Sequence, residues 1–349
     1  MSILKRRDFI LSTFGLAATS LLPNWDFING LEDKSNKPPE NQRILPKKLD
    51  KGDKVAVMGM AGALRELEYK SAFEQVLVDL GFSVVVGNTV SQIHGYFSGT
   101  DEERAKEFND FVKAKDIKAI FFIKGGWGCA RVIDKIDFQA LRDNPKVIIG
   151  FSDITSLLNA IYQITGLVTF HGPVGVSSWE GFSLNSFNQI VCQAGKDFDF
   201  PSSYNTKSLK IIRPGIAKGV LIGGNLTVFS SLLGTPFFPS CKGKILFLEE
   251  TKEEPYRIDR LLTSLRLAGV LNEISGLVFG KFNQCVAEKP SESFTLEEVI
   301  DQHFSQATYP VLWGVPFGHV KDKWTIPVGV EAELSTEAPF LKLIESGVS

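Results

Sequence analysis

Strands alternating with helices through the first half of the chain, then strands with few helices, predict an α/β protein in two parts. The first is an N-terminal mostly parallel sheet flanked by helices; the second is a smaller β-rich C-terminal domain. Three observations carry this reading. Short apolar runs such as Lys54-Val-Ala-Val-Met58 have the length and composition of buried strands. Segments of helical periodicity separate them. Around Glu180–Arg213 the texture changes to Ser, Asn, Lys and Asp, which marks a boundary.

The elements follow in order. Lys54–Met58 reads as a strand ending at Gly59. From Glu66 to Leu80 the apolar positions Tyr69, Phe73, Val76, Leu77 and Leu80 recur at helical spacing, and Gly81 stops the helix. Ser83–Val86 is the next strand. Thr100-Asp-Glu-Glu103 has the form of an N-cap with early acids and opens a helix to about Lys113. Lys118–Ile123 is a third strand, followed by a Gly-rich turn and a helix through Arg131–Asp134. Val147–Ile149 is a fourth strand and Ile154–Ile164 a helix. Parallel strands need covered crossovers, so this sheet is expected to be buried on both faces. In the second half Ala217–Ile222, Lys244–Leu248, Gly276–Gly280 and Val328–Leu334 read as strands and Arg257–Leu267 as a helix. The expected extents are 49–178 for the first domain, 179–213 for the boundary and 214–345 for the second domain.

The N-terminus carries Lys5-Arg6-Arg7 before a short apolar stretch, Phe9–Leu22. Charge, apolar run and position together read as an export signal over residues 1–30, of twin-arginine type. The stretch is shorter than the roughly 20 apolar residues of a membrane span. The expectation is an exported, periplasmic protein, touching a membrane only through an uncleaved signal; without export it is cytoplasmic. Residues 31–48, with Lys37-Pro38-Pro39-Glu40, read as a linker. The 38 basic and 40 acidic residues leave a net charge of −2, which provides no footprint for nucleic acid. Four cysteines without a C-x-x-C spacing read as buried free thiols.

Four segments can carry chemistry. In Val147-Ile-Ile-Gly-Phe-Ser152-Asp-Ile-Thr155 an apolar strand runs into Gly-x-Ser and a helix begins at once. Such an elbow lifts a hydroxyl clear of the backbone and aims N–H groups at an oxyanion; the same residues suit Ser152 as a plain N-cap. Lys124-Gly-Gly-Trp-Gly128 follows a strand and lacks the third glycine of a dinucleotide fingerprint, so a backbone-donor role is preferred to phosphate binding. Ile245-Leu-Phe-Leu-Glu249-Glu250 places two acids at a strand end, while Glu253 and Glu254 read as solvated. Of the four histidines, His303 reads as solvated. His171, in Thr169-Phe-His-Gly-Pro173, suits a structural hydrogen bond as well as catalysis. His319, after Val315-Pro-Phe-Gly318, suits a structural role when taken alone. No metal-ligand spacing occurs, so neither metal nor cofactor is expected.

Taken together, Tyr96-Phe-Ser-Gly-Thr-Asp-Glu-Glu-Arg104, Gly125-Gly-Trp-Gly128, Gly150-Phe-Ser-Asp-Ile-Thr155, Thr165–Pro173, Gly223-Gly-Asn-Leu-Thr227, Leu248-Glu249 with Pro255–Arg260, and Pro316-Phe-Gly-His319 resemble the LD-carboxypeptidase family of serine peptidases. That family includes muramoyltetrapeptide carboxypeptidases and microcin C immunity peptidases. The resemblance spans Gly52 to Leu334. It implies a triad of Ser152, Glu249 and His319. It also implies an oxyanion hole from the backbone of Asp153 with Gly125 or Gly126, and substrate contacts from Lys124 and Trp127. The implied fold is a class I glutamine amidotransferase-like domain plus a smaller β-rich one, in a homodimer. The implied reaction cuts the bond between an L-centre diamino acid and terminal D-alanine in muropeptides. Where many members read Arg-Gly-Gly-Tyr-Gly this chain has Lys124-Gly-Gly-Trp-Gly, and Glu249-Glu250 replaces a common Glu-Asp. Another amide, such as a microcin-like aminoacyl-nucleotide, is an alternative substrate. A catalytically inactive muropeptide-binding protein is an alternative of a different class.

Overall fold

The computed structural model describes residues 43–194, 209–337 and 341–349. The expected export signal and most of the expected linker lie outside the described residues.

The first sheet has six strands in the order β11-β5-β4-β3-β1-β2. These are β1 Lys54–Met58, β2 Ser83–Val86, β3 Ile117–Phe122, β4 Val147–Gly150, β5 Thr169–His171 and β11 Ile326–Val328. All pairs are parallel except β5 with β11. Strands β1, β3 and β4 are almost wholly buried, as apolar runs covered on both faces must be. Helix α1 (Glu68–Asp79) packs Phe73 and Leu77 inward, and Gly81 follows it. Helix α2 (Asp101–Lys113) starts on a complete capping box between Thr100 and Glu103 and buries Ala105, Phe108 and Val112. The short α3 (Phe138–Asp143) precedes β4. Helix α4 (Ile154–Thr165) is buried nearly all round because it lies between the two sheets. Where a helix was expected after the Gly turn, two 3₁₀ turns occur, Cys129–Arg131 and Ile133–Lys135. Four or five residues between turn signals are too few to nucleate a lasting α-helix.

The second sheet has seven strands in the order β13-β12-β7-β8-β9-β10-β6. They are β6 Lys210–Arg213, β7 Ile216–Asn225, β8 Ile245–Thr251, β9 Gly276–Asn283, β10 Val311–Trp313, β12 Glu331–Ser335 and β13 Leu341–Leu343. The centre β7-β8-β9-β10 is parallel and the flanking strands are antiparallel. Helices α6 (Leu226–Ser230), α7 (Pro255–Leu267), α8 (Val270–Glu273) and α9 (Leu296–Phe304) are further elements of this half.

Within 179–213, helix α5 (Gly181–Phe187) carries the buried Phe187, which packs on Phe121 and Trp179 of the first core. The expected strand Val328–Leu334 is two strands. Gly329 turns the chain (φ +98), so Ile326–Val328 joins the first sheet and Glu331–Ser335 the second. This crossing carries the chain after His319 back onto the sheet that ends in Ser152.

Candidate active site

The site is built where the carboxyl ends of two parallel sheets face one another. Strand β4 ends at Gly150, and Phe151 and Ser152 make the turn into α4. Ser152 has φ +63, a left-handed conformation that a residue with a Cβ adopts only when its surroundings hold it there. Its hydroxyl does not cap the helix. The N-cap position belongs to Asp153, and Ser152 Oγ lies 3.1 Å from Nε2 of His319.

Glu249 is placed by β8. In the β7–β8 register Asn225 is opposite Glu249. The end of β7 is tied to α4 from the other lobe: Thr155 Oγ1 accepts from the Asn225 amide at 3.0 Å, and Asn159 Nδ2 donates to the Gly223 carbonyl at 2.8 Å. The helix that starts after Ser152 therefore docks on the strand pair that carries Glu249. Glu249 is fully buried, and its Oε2 is 2.7 Å from His319 Nδ1 and accepts from the His319 amide at 3.2 Å. Gly318 permits this approach. It has φ +96, and a Cβ there would run into the Glu249 side chain. With Nδ1 donating to the carboxylate, Nε2 is left to accept from the serine hydroxyl.

Glu250 has different surroundings. Its carboxylate accepts from Asn225 Nδ2 (2.8 Å), the Thr227 amide (2.8 Å), Thr227 Oγ1 (2.7 Å) and the Thr251 amide (2.9 Å). It clamps the Gly223–Thr227 loop and does not reach the imidazole. Burial pushes its pKa up against those hydrogen bonds.

The Gly-rich turn closes on Ser152. A Cβ on Gly125 would come within 2.8 Å of Ser152 Cβ, so the bare backbone is what fits there. Asp153 fixes the turn: its buried carboxylate accepts from the Cys129 amide at 2.7 Å. Buried Arg104 holds the same turn from the other side, donating to the carbonyls of Met60 (2.6 Å) and Gly128 (3.0 Å). Among the described residues no hydrogen bond uses the amides of Gly125, Gly126 or Asp153. Trp127 is half exposed beside them, and Lys124 Nζ reaches the Ala63 carbonyl at 3.5 Å.

The remaining histidines differ from each other. His303, expected in solvent, is enclosed, with Nε2 2.8 Å from Asp259 Oδ1, because α9 packs against α7. His171 is buried among Phe151, Phe247 and Phe317, with no hydrogen-bond partner for either ring nitrogen among the described residues. Burial lowers its pKa to about 4, so it is neutral near pH 7. One charged neighbour had no signal in the sequence. Lys323 looks like part of the exposed run Lys321-Asp322-Lys323, yet it is buried with Nζ 5.1 Å from the centre of the Phe151 ring. The four cysteines are free thiols. Among the described residues no group of three His, Cys, Asp or Glu side chains converges as a metal site.

The chain is similar to known proteins over both of its halves. Residues 55–172 match the model of the LD-carboxypeptidase N-terminal domain and residues 218–334 that of the C-terminal domain. A probable murein peptide carboxypeptidase of Bacillus subtilis is 37% identical over 309 residues, covering 87% of this chain and 95% of that protein. Among solved structures, the microcin immunity protein MccF in complex with glutamyl sulfamoyl guanosine superimposes with a TM-score of 0.79 at 27% identity, over 87% of this chain and 99% of that one. A muramoyltetrapeptide carboxypeptidase from Oxalobacter formigenes superimposes with a TM-score of 0.73 at 29% identity, over 83% and 97%. Both domain models, in order, and a relative matched over nearly its whole length leave one conclusion: the chain belongs to the LD-carboxypeptidase family.

Proposed function

We propose that this peptidase is a serine LD-carboxypeptidase that removes terminal D-alanine from the tetrapeptide stem of muropeptides by cutting after the L-centre of the diamino acid. The observation that carries the proposal is the hydrogen-bonded chain from Glu249 through His319 to Ser152. In the reading advanced here, His319 Nε2 takes the hydroxyl proton as Ser152 Oγ adds to the scissile carbonyl carbon. The oxygen that becomes negative meets the unused amides of Asp153 and of Gly125 or Gly126. Collapse breaks the C–N bond, and His319 gives its proton to the leaving amine of D-alanine. Water, deprotonated by the same imidazole, then hydrolyses the ester and restores Ser152. Glu249 holds the imidazole in the required tautomer and stabilises its charged form. The twin-arginine-like N-terminus motivates a second element of the proposal: the enzyme works on wall fragments outside the cytoplasm.

The test is incubation with a disaccharide tetrapeptide ending in D-alanine and with its L-alanine epimer, followed by mass spectrometry. The expected result is loss of one alanine from the D-epimer only. Equal cleavage of both, or cleavage elsewhere in the stem, would refute the substrate assignment.

A further inference from the structure

One positive side chain, packed on the residue before Ser152, has no task in the proposed steps. Lys323 lies four residues after His319. Its backbone is anchored: its amide donates to Ser183 Oγ at 3.0 Å and the next amide, of Trp324, to the Pro316 carbonyl at 2.7 Å. The residue is 5% exposed, yet its ammonium has no hydrogen-bond acceptor and no ion-pair partner among the described residues. Its Nζ lies 5.1 Å from the centre of the ring of Phe151, the residue before Ser152. The ring of His319 packs on the same Phe151, with centroids 4.9 Å apart. Enclosing an ammonium with only an aromatic face beside it is unfavourable. Burial accordingly pulls its pKa down to about 8, although Glu249 and Asp322 act to raise it. A cation kept in that state next to the nucleophile is matched to an anion that arrives with the substrate.

The reaction class supplies that anion. A carboxypeptidase releases a single residue, and standard bond lengths put its carboxylate carbon roughly 3–4 Å from the scissile carbonyl carbon. A cation that reads the carboxylate must then lie within roughly 8 Å of the point of attack, which means in the wall around Ser152. Lys124 also borders the site, but its Nζ is turned to the Ala63 carbonyl. We propose that the Lys323 ammonium binds the terminal carboxylate of the substrate and so restricts the enzyme to the last peptide bond. The inference rests on the serine carboxypeptidase reading of the same cleft and deepens it. Lys323 contacts the leaving residue and takes no part in proton transfer.

The test compares a peptide ending in D-alanine with the same peptide ending in D-alaninamide, using the wild type, Lys323→Met, Lys323→Arg and Lys124→Met. The wild type is expected to prefer the acid by roughly 30- to 100-fold in kcat/KM, the value of a hydrogen bond to a charged group in a shielded site. In Lys323→Met the acid-to-amide ratio should fall to about one, and Lys323→Arg should restore most of it, because the charge returns. The ratio is read within each protein, so a general loss of folded enzyme leaves it unchanged. A ratio that stays at the wild-type value in Lys323→Met overturns the proposal, as does its collapse in Lys124→Met alone. Wild-type enzyme that cleaves acid and amide equally well also overturns it while leaving the serine peptidase reading intact. Wild-type enzyme that cleaves neither overturns both.

Discussion

The hydroxyl of Ser152 lies 3.1 Å from Nε2 of His319, although 167 residues separate them in the chain. The contact exists because the two sheets point their carboxyl ends at one another and because α4 is bolted to the end of β7 through Thr155 and Asn159. Local sequence places Ser152 at a strand-to-helix turn and His319 in the segment between β10 and β11, and the docking of the two halves brings them together.

The two neighbouring acids should separate cleanly. Glu249→Gln keeps the shape but removes the partner that orients the imidazole, and kcat should fall by about 10³- to 10⁴-fold with KM little changed. Glu250→Ala strips the acceptor from four donor groups, so it should lower stability by about 3 kcal/mol. Chemical denaturation and steady-state kinetics on both variants read the difference. Equal kinetic losses would mean that the imidazole is not served by Glu249 alone.

The backbone at Gly125 should tolerate no side chain. In Gly125→Ala the new methyl meets Ser152 Cβ at 2.8 Å and Oγ at 3.0 Å, so either Ser152 or the turn must shift. A displacement of that size should cost roughly 100-fold in kcat. Thermal denaturation should show a folded protein. Activity within about threefold of wild type would show that the turn does not shape the reaction.

His171 should weaken the fold in acid. Its pKa is held to about 4 in the folded protein by burial and lies near 6.5 in the unfolded chain, which therefore binds the proton first as pH falls. Stability is then lost between about pH 6.5 and 4, by about 3 kcal/mol over the whole window. His171→Phe, which matches the surrounding aromatic cluster, should remove this component. Urea midpoints at pH 7 and pH 4 check it: wild type should lose more stability than the variant between the two values. Parallel losses would contradict the burial of an uncharged ring.

Lys323 gives an alkaline limb. The groups that act on its ammonium are Glu249, Asp322 and the neutral His171, with the Phe151 face beneath it. Deprotonation above about pH 8 removes the charge, so kcat/KM for the acid peptide should fall while that for the amide peptide stays on its own course. Lys323→Arg should carry the plateau to higher pH, since guanidinium keeps its proton there. Identical pH profiles for the two peptides would remove Lys323 from carboxylate recognition.

Much of this fold is legible in the sequence because its signals are local. Lys54–Met58 and Val147–Ile149 are apolar runs of strand length, and Thr100–Glu103 carries a complete capping box, so neither depends on distant partners. What resists reading is decided by tertiary packing. Val328–Leu334 looks like one strand, and only the turn at Gly329 and the two competing sheet edges divide it. His303 sits among polar residues in sequence but against Asp259 in space. The candidate site divides the same way. Ser152 just after the end of β4, Glu249 within β8 and His319 between β10 and β11 each sit in a motif that the sequence shows. Lys323 lies in a charged run that reads as solvated, and its enclosure comes from packing on Phe151, 172 positions earlier in the chain.

The proposed reaction depends on attack by the Ser152 hydroxyl with His319 as its base. Single-turnover hydrolysis of a muropeptide tetrapeptide by wild type and by Ser152→Ala, at equal concentrations of folded protein, tests it most directly. The variant should bind the peptide and release D-alanine at least about 10³-fold more slowly. Release within about tenfold of the wild-type rate would contradict it.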